Sequence, residues 1–270
     1  MTIGLVHPGE MGAAIGAALR AAGQTVLWAS SGRSAATTAR AEHAGLEDAG
    51  TTEELARRSD VVLSVCPPHA AVDVARSFAG FPGVYLDANA VSPATARHIA
   101  GLVGRYVDGG IVGPPPRTPE ATRLYLSGAE APFAADLFTG TTIHVRVVSD
   151  DPGAASAVKM AFAAWTKGTS ALLLAIRALA RMEEVEETLL EEWRTSLPHL
   201  PEQSVAAARS ALGKGWRFVG EMDEIADAFL AAGLPDGFHR AAAEIYRRAS
   251  QADADGGDDL ERVLSALRSG

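Results

Sequence analysis

Three clusters in this sequence hold residue types that can do chemistry. The first is a glycine run, in which Gly4 is followed by His7, Pro8, Gly9, Glu10, Met11 and Gly12, directly after a short apolar stretch. Glycines at such spacing let a chain turn tightly out of a strand and into a helix, whose free N–H groups and positive dipole end attract phosphate. The second cluster is Ser30, Ser31, Arg33 and Ser34. One guanidinium among hydroxyls suits a phosphate monoester, because it offers planar paired donors. The third is Lys159, set in an alanine-rich stretch. Such a lysine either lays its stem along an apolar surface with its ammonium in water, or sits in a cleft where desolvation lowers its pKa toward neutrality. Spacing alone leaves both open.

Composition excludes other chemistries. A chain of 270 residues with 47% hydrophobic and 21% charged residues is ordinary for a globular protein. The net charge of −9 argues against nucleic acid, which needs a basic surface to displace counterions. The single cysteine, Cys66, and seven scattered histidines lack any ligand spacing, so no metal is expected. The longest apolar stretch, 161–179, is broken by Lys167 and Arg177, so no membrane span is expected, and with no basic leader the expected location is cytoplasmic.

The elements that must position these groups follow from periodicity. Strands are expected at 2–6, 25–29, 60–66, 83–88 and 106–111, each mostly followed by an amphipathic stretch, a rhythm of β-α-β units on a parallel sheet. Runs 122–126 and 143–148 come without clear crossover helices and extend the sheet at one edge, antiparallel being one option. Near residue 150 the pattern turns helical throughout, dividing the chain into 1–150 and 151–270. A long helix is expected over 154–181, with Asp151 as N-cap and Pro152 in its first position. Its all-round apolar character predicts burial on most sides and a homodimer through the helical part. Further helices are expected at 183–196, 202–212, 216–231 and 237–250. Glu221, Glu224 and Asp227 read as a solvated face, His239 as structural, and 252–259 as an acidic linker before a last short helix.

In the dinucleotide-binding fingerprint of Rossmann domains, Gly9 and Gly12 fill the second and third glycine positions and His7 the first. Histidine is among the residue types enriched at positive φ, so His7 is expected to make the tight turn. About 20 residues on, where NAD-binding chains carry an acid for the ribose hydroxyls, this chain has Ser30, Ser31, Arg33 and Ser34, which predicts NADP instead. The expected fold class is an α/β Rossmann domain followed by an all-α C-terminal domain.

The glycine loop ending Gly-Glu-Met-Gly, the run 64–68 (Ser-Val-Cys-Pro-Pro), the run 86–93 (Leu-Asp-Ala-Asn-Ala-Val-Ser-Pro) and Lys159 together resemble the β-hydroxyacid dehydrogenases, the superfamily of 6-phosphogluconate and 3-hydroxyisobutyrate dehydrogenases. Stretches 108–115 and 215–222 are most similar to a functionally unassigned branch of it. The resemblance implies that Val65, Cys66 and Pro67 lie along the cofactor and that Asn89 stands where a serine contacts cofactor or substrate. It makes Lys159 the general acid/base of a hydride transfer at a C=O/C–OH or C=N/C–N group. Val112, Gly113 and Pro114 fall on the substrate wall, Val112 replacing a carboxylate-binding serine. The family's asparagine after the lysine is here Ala163, which shifts substrate positioning toward Thr166 or Lys167. A protein that binds dinucleotide without turnover, as a sensor or assembly partner, is the alternative, and His7, Val112 and Ala163 are changes it would carry.

Overall fold

The computed structural model describes residues 1–119, 121–253 and 257–268. The chain divides into two compact units at Met160/Ala161.

The first unit is built on an eight-stranded sheet: β1 (Thr2–Leu5), β2 (Thr25–Trp28), β3 (Glu47–Asp48), β4 (Val61–Ser64), β5 (Val84–Asp87), β6 (Arg105–Val112), β7 (Thr122–Ser127) and β8 (Ile143–Ser149). Their spatial order is β3-β2-β1-β4-β5-β6-β7-β8. Helices α1 (Glu10–Ala21), α2 (Ala35–His43), α3 (Thr52–Arg58), α4 (Ala71–Ser77), α5 (Pro93–Ala100) and α6 (Ala131–Asp136) connect the strands. Successive strand residues enter opposite cores, as the pleat requires: Trp28, Leu63 and Leu86 pack on one side, Leu27, Val62 and Tyr85 on the other. That is why these strands read as unbroken apolar runs.

β3 was not expected from the sequence, being two exposed residues long. β7 runs antiparallel to β6, but β8 is parallel to β7, because α6 crosses between them. With six residues, α6 is too short to show a helical period.

Helix α7 (Ala154–Met182) begins in the first unit and continues into the second, which also holds α8 (Glu186–Ser196), α9 (Leu200–Ala231), α10 (Gly237–Ala249) and α11 (Asp259–Arg268). The two helices expected at 202–212 and 216–231 are one helix of 32 residues. Gly215 does not end it. A Cβ there would lie 3.2 Å from the Tyr246 carbonyl oxygen, so glycine serves the approach of α10. On the single chain, α7 leaves Phe162, Trp165, Leu172, Leu179 and Met182 exposed. Of the acidic segment 252–259, residues 254–256 lie outside the described residues. No helix among the described residues is long and apolar enough to cross a membrane.

Candidate active site

The glycine loop leaves β1 at Leu5 and enters α1 at Glu10, with Gly9 as extended N-cap. The Gly9 N–H donates to the His7 carbonyl at 2.8 Å, which closes the turn. A Cβ on Gly12 would collide with that same carbonyl, so only glycine lets α1 pack here, whereas the Cβ direction of Gly9 meets no protein atom within 4 Å. One glycine thus serves packing and the other leaves the backbone open to a ligand. His7 makes the turn without the left-handed conformation expected of it: among the described residues the one non-glycine at positive φ is Glu184. Pro8 is buried, Met11 packs partly against the core, and the exposed Glu10 lies 3.8 Å from Arg117.

His7, Arg33, Thr52 and His69 line a cavity of about 350 Å³ beside this loop. Burial, and then the charge of Arg33, lower the His7 pKa to about 4, so the imidazole is neutral at pH 7. Its Nδ1 and the Arg33 Nε are buried without hydrogen-bond partners, and the Arg33 Nη2 donates to the Val6 carbonyl at 3.4 Å. Ser34 caps α2, accepting from the Thr37 N–H at 3.3 Å. Ser31 is exposed and Ser30 half-buried. Arg40, which no motif singles out, donates its Nε–H to the Pro8 carbonyl at 3.3 Å from the last turn of α2.

Val65, Cys66 and Pro67 follow β4 and are half-buried. Asn89 spends its amide inside the protein: its oxygen accepts from the Cys66 N–H, and its nitrogen donates to the Ser64 hydroxyl at 3.0 Å. At 3% exposure it braces the ends of β4 and β5. Burial, and then the nearby Asp87, push the Cys66 thiol up to about 12, which makes it an inert packing group.

Lys159 lies on the second turn of α7, within the first unit. Asp151 does not cap this helix; its carboxylate pairs with Arg97 at 3.0 Å. The first-turn amides reach side chains on the sheet instead. Gly153 and Ser156 donate to Asp108 on β6 at 3.0 and 2.8 Å, and Ala155 donates to the Ser127 hydroxyl on β7 at 3.0 Å. Asp108 also accepts from the Ser156 and Ser127 hydroxyls at 2.6 and 3.0 Å. Burial pushes its pKa above the ordinary carboxylate value, while these donors pull against that. Two residues along β6, Gly110 lets the helix touch the strand, since a Cβ there would stand 2.6 Å from the Ala155 carbonyl oxygen and 3.1 Å from the Lys159 Cβ. Val112 is buried two residues farther on, and Gly113 and Pro114 are exposed.

In the second unit Thr166 is exposed and its hydroxyl donates to the Phe162 carbonyl at 3.2 Å. Lys167 forms an ion pair with Glu221 and lies 5.2 Å from the centre of the Phe218 ring. Glu221, expected on a solvated face, is buried, because its helix faces a lysine that periodicity within α9 cannot reveal. His239 is buried between Phe229 and Phe238.

Comparison with known proteins matches residues 2–86 to the family described as NADP oxidoreductase, coenzyme F420-dependent, and residues 180–249 to a domain of unknown function. An uncharacterised 28.5 kDa protein of Methanothermus fervidus is 28% identical over 161 residues, 59% of this chain and 63% of that protein, so the match spans less than two thirds of this relative. A conserved protein of unknown function, described as structurally similar to 3-hydroxyacid dehydrogenases, superposes with a TM-score of 0.71 at 28% identity over 93% of this chain and 97% of its own. The chain has the fold of the 3-hydroxyacid dehydrogenases. At lower identity, which speaks to fold alone, Mycobacterium tuberculosis 3-hydroxyisobutyrate dehydrogenase matches with a TM-score of 0.73 and 19% identity over 99% of both chains. The reductive aminase of Aspergillus terreus, solved with NADPH, matches at 0.58 and 20% over 99% of this chain and 98% of its own.

Proposed function

We propose that the chain is an NADP(H)-dependent oxidoreductase acting on a small-molecule C=O/C–OH or C=N/C–N group, with Lys159 as general acid and base. The observation that carries this reading is Lys159 docked against Gly110 of β6, in the same unit as an open glycine loop. The match of 2–86 to NADP oxidoreductases and the NADPH held by the fungal reductive aminase support the cofactor.

The residues present fit that cofactor. The bare approach to Gly9, the α1 N-terminus behind it and the cavity walled by His7 and Arg33 suit a dinucleotide phosphate. Arg33, with Ser30 and Ser31, would hold the ribose 2′-phosphate through charge-assisted donors. Val65, Cys66 and Pro67 would line it, braced by Asn89. NADPH, when bound, supplies the hydride. Lys159 Nζ then donates a proton to the substrate oxygen or nitrogen on which negative charge develops, and takes it back in the oxidative direction. Fluorescence titration should show NADPH binding at least about tenfold tighter than NADH, with Arg33→Ala erasing most of the difference. Tighter binding of NADH would reject the assignment.

The same reading makes the chain a homodimer through its helical unit. Trp165, Trp216, Leu179 and Met182 are each more than half exposed, and large apolar groups in such number suit an obligate interface. Sedimentation at micromolar concentration should find a dimer; monomer alone would refute it.

A further inference from the structure

The start of α7 is held in an unusual way. A helix leaves its first N–H groups without partners inside the helix, and these are commonly met by the side chain just before it. Here they are met by two strands more than 25 residues away: Asp108 takes Gly153 and Ser156, and Ser127 takes Ala155. Both oxygens of Asp108 are engaged, Oδ1 by the Ser156 hydroxyl and Oδ2 by two amides and the Ser127 hydroxyl. Four donors converging on the two oxygens favour the ionised carboxylate, and its negative charge also suits the positive end of a 29-residue helix. Ser156 and Lys159 are three residues apart, on one face. The face that Ser156 turns to Asp108 therefore brings the Lys159 Cβ down on Gly110, the next residue along the same side of β6.

We propose that Asp108, with Ser127 and Ser156, is the positioning unit for Lys159: it clamps the first turn of α7 to β6 and so fixes where the Lys159 side chain leaves the helix. The proposal rests on the reading of Lys159 as the proton carrier. Asp108 touches no reacting atom in it. It acts through the helix backbone, while Gly110 sets how closely the lysine stem lies on the strand.

The sequence offers a direct probe, since it contains three lysines, Lys159, Lys167 and Lys214. Reductive methylation of the full-length protein with ¹³C-formaldehyde gives each side chain its own NMR signal, apart from the amino terminus, and Lys159→Arg identifies one of them. In Asp108→Asn the Lys159 signal should move and its titration midpoint should fall by about half a unit or more, because an opposite charge and the helix anchor are lost together. The Lys167 and Lys214 signals should stay in place. Ser156→Ala keeps the carboxylate and three of its donors, and should move the Lys159 signal by less; it carries the test if Asp108→Asn does not fold. An unmoved Lys159 signal in folded variants, with only a lower melting point, would show Asp108 to be a plain helix anchor and overturn the proposal. Unimpaired NADPH-dependent turnover in Lys159→Met would instead sink the proton-transfer reading, and the NMR result would stand apart from it.

Discussion

Lys159 and Lys167 stand about two turns apart on one helix and are held in opposite ways. At Lys159 the backbone is anchored: Asp108 and Ser127 pin the turn below it by accepting from its amides, and Gly110 meets its stem. Lys167 is fixed through its charge, by a buried ion pair with Glu221 and the face of the Phe218 ring. The same contrast runs through the two units. At the start of α7 the helix amides of Gly153, Ala155 and Ser156 are met by Asp108 and Ser127, whereas the helical unit carries ion pairs such as Arg177 with Glu186 and Arg181 with Glu261. The chain carries 21 arginines against three lysines. Arginine cannot give up a proton near neutral pH and lysine can.

The comparison breaks most visibly at Lys159. Replacement by Met keeps the apolar stem and removes the charge and proton. Turnover of NADPH with a carbonyl or imine substrate should fall by about 10² to 10⁴, with the melting curve and NADPH affinity nearly unchanged. A large loss of folding stability in this variant would mean that Lys159 is held by its charge after all, and the contrast with Lys167 would disappear.

At Lys167 the expected losses are reversed. Lys167→Met leaves Glu221 buried beside an apolar group, which typically costs about 3 to 5 kcal/mol of stability when one partner of a buried pair is removed. Adding Glu221→Leu should return most of it, because the buried charge goes too. Denaturant unfolding of the single and double variants checks this. If the single variant is as stable as the parent, the ion pair is incidental and Lys167 becomes available for substrate.

How far the sequence could foresee this depends on the range over which each contact acts. The β-α-β rhythm and the glycine loop were legible because they are local, set by residues within one or two turns of each other. Asp108 was visible only as one residue of a motif. Its partners Gly153 and Ser156 are 45 and 48 residues away, and no periodicity connects a strand residue to the amides of a later helix. Glu221 looked solvated because helical spacing defines a face without saying what opposes it. Gly213 and Gly215 looked like a helix end because glycine is a poor helix former, and tertiary packing against Tyr246 overrode that preference. His7 was expected to twist because the fingerprint has glycine there; the turn closes instead through the Gly9 amide.

The smallest expected effect concerns His7, the one titratable side chain of the glycine loop held neutral. Its cavity faces it with Arg33, a fixed positive charge, and with His69 and Asp73 from the far wall. In the unfolded chain a histidine titrates near about 6.5; in the folded protein burial and Arg33 lower this to about 4. Between those values the unfolded chain holds a proton that the folded one lacks. The contribution of His7 to stability is therefore complete above the unfolded value and is lost as pH falls toward 4. His239, also lowered by burial, acts in the same sense, while Asp108, raised by burial, acts in the opposite sense as pH rises through the carboxylate range. The difference between the parent and His7→Gln cancels both. The melting point of the parent should drop more steeply between pH 6.5 and pH 4.5 than that of His7→Gln. Saturating NADPH should shallow the drop in the parent, because phosphate beside the imidazole favours its protonated form. Parallel curves for parent and variant would place His7 in water, and the picture of a glycine loop whose polar groups are kept neutral until a phosphate arrives would fail.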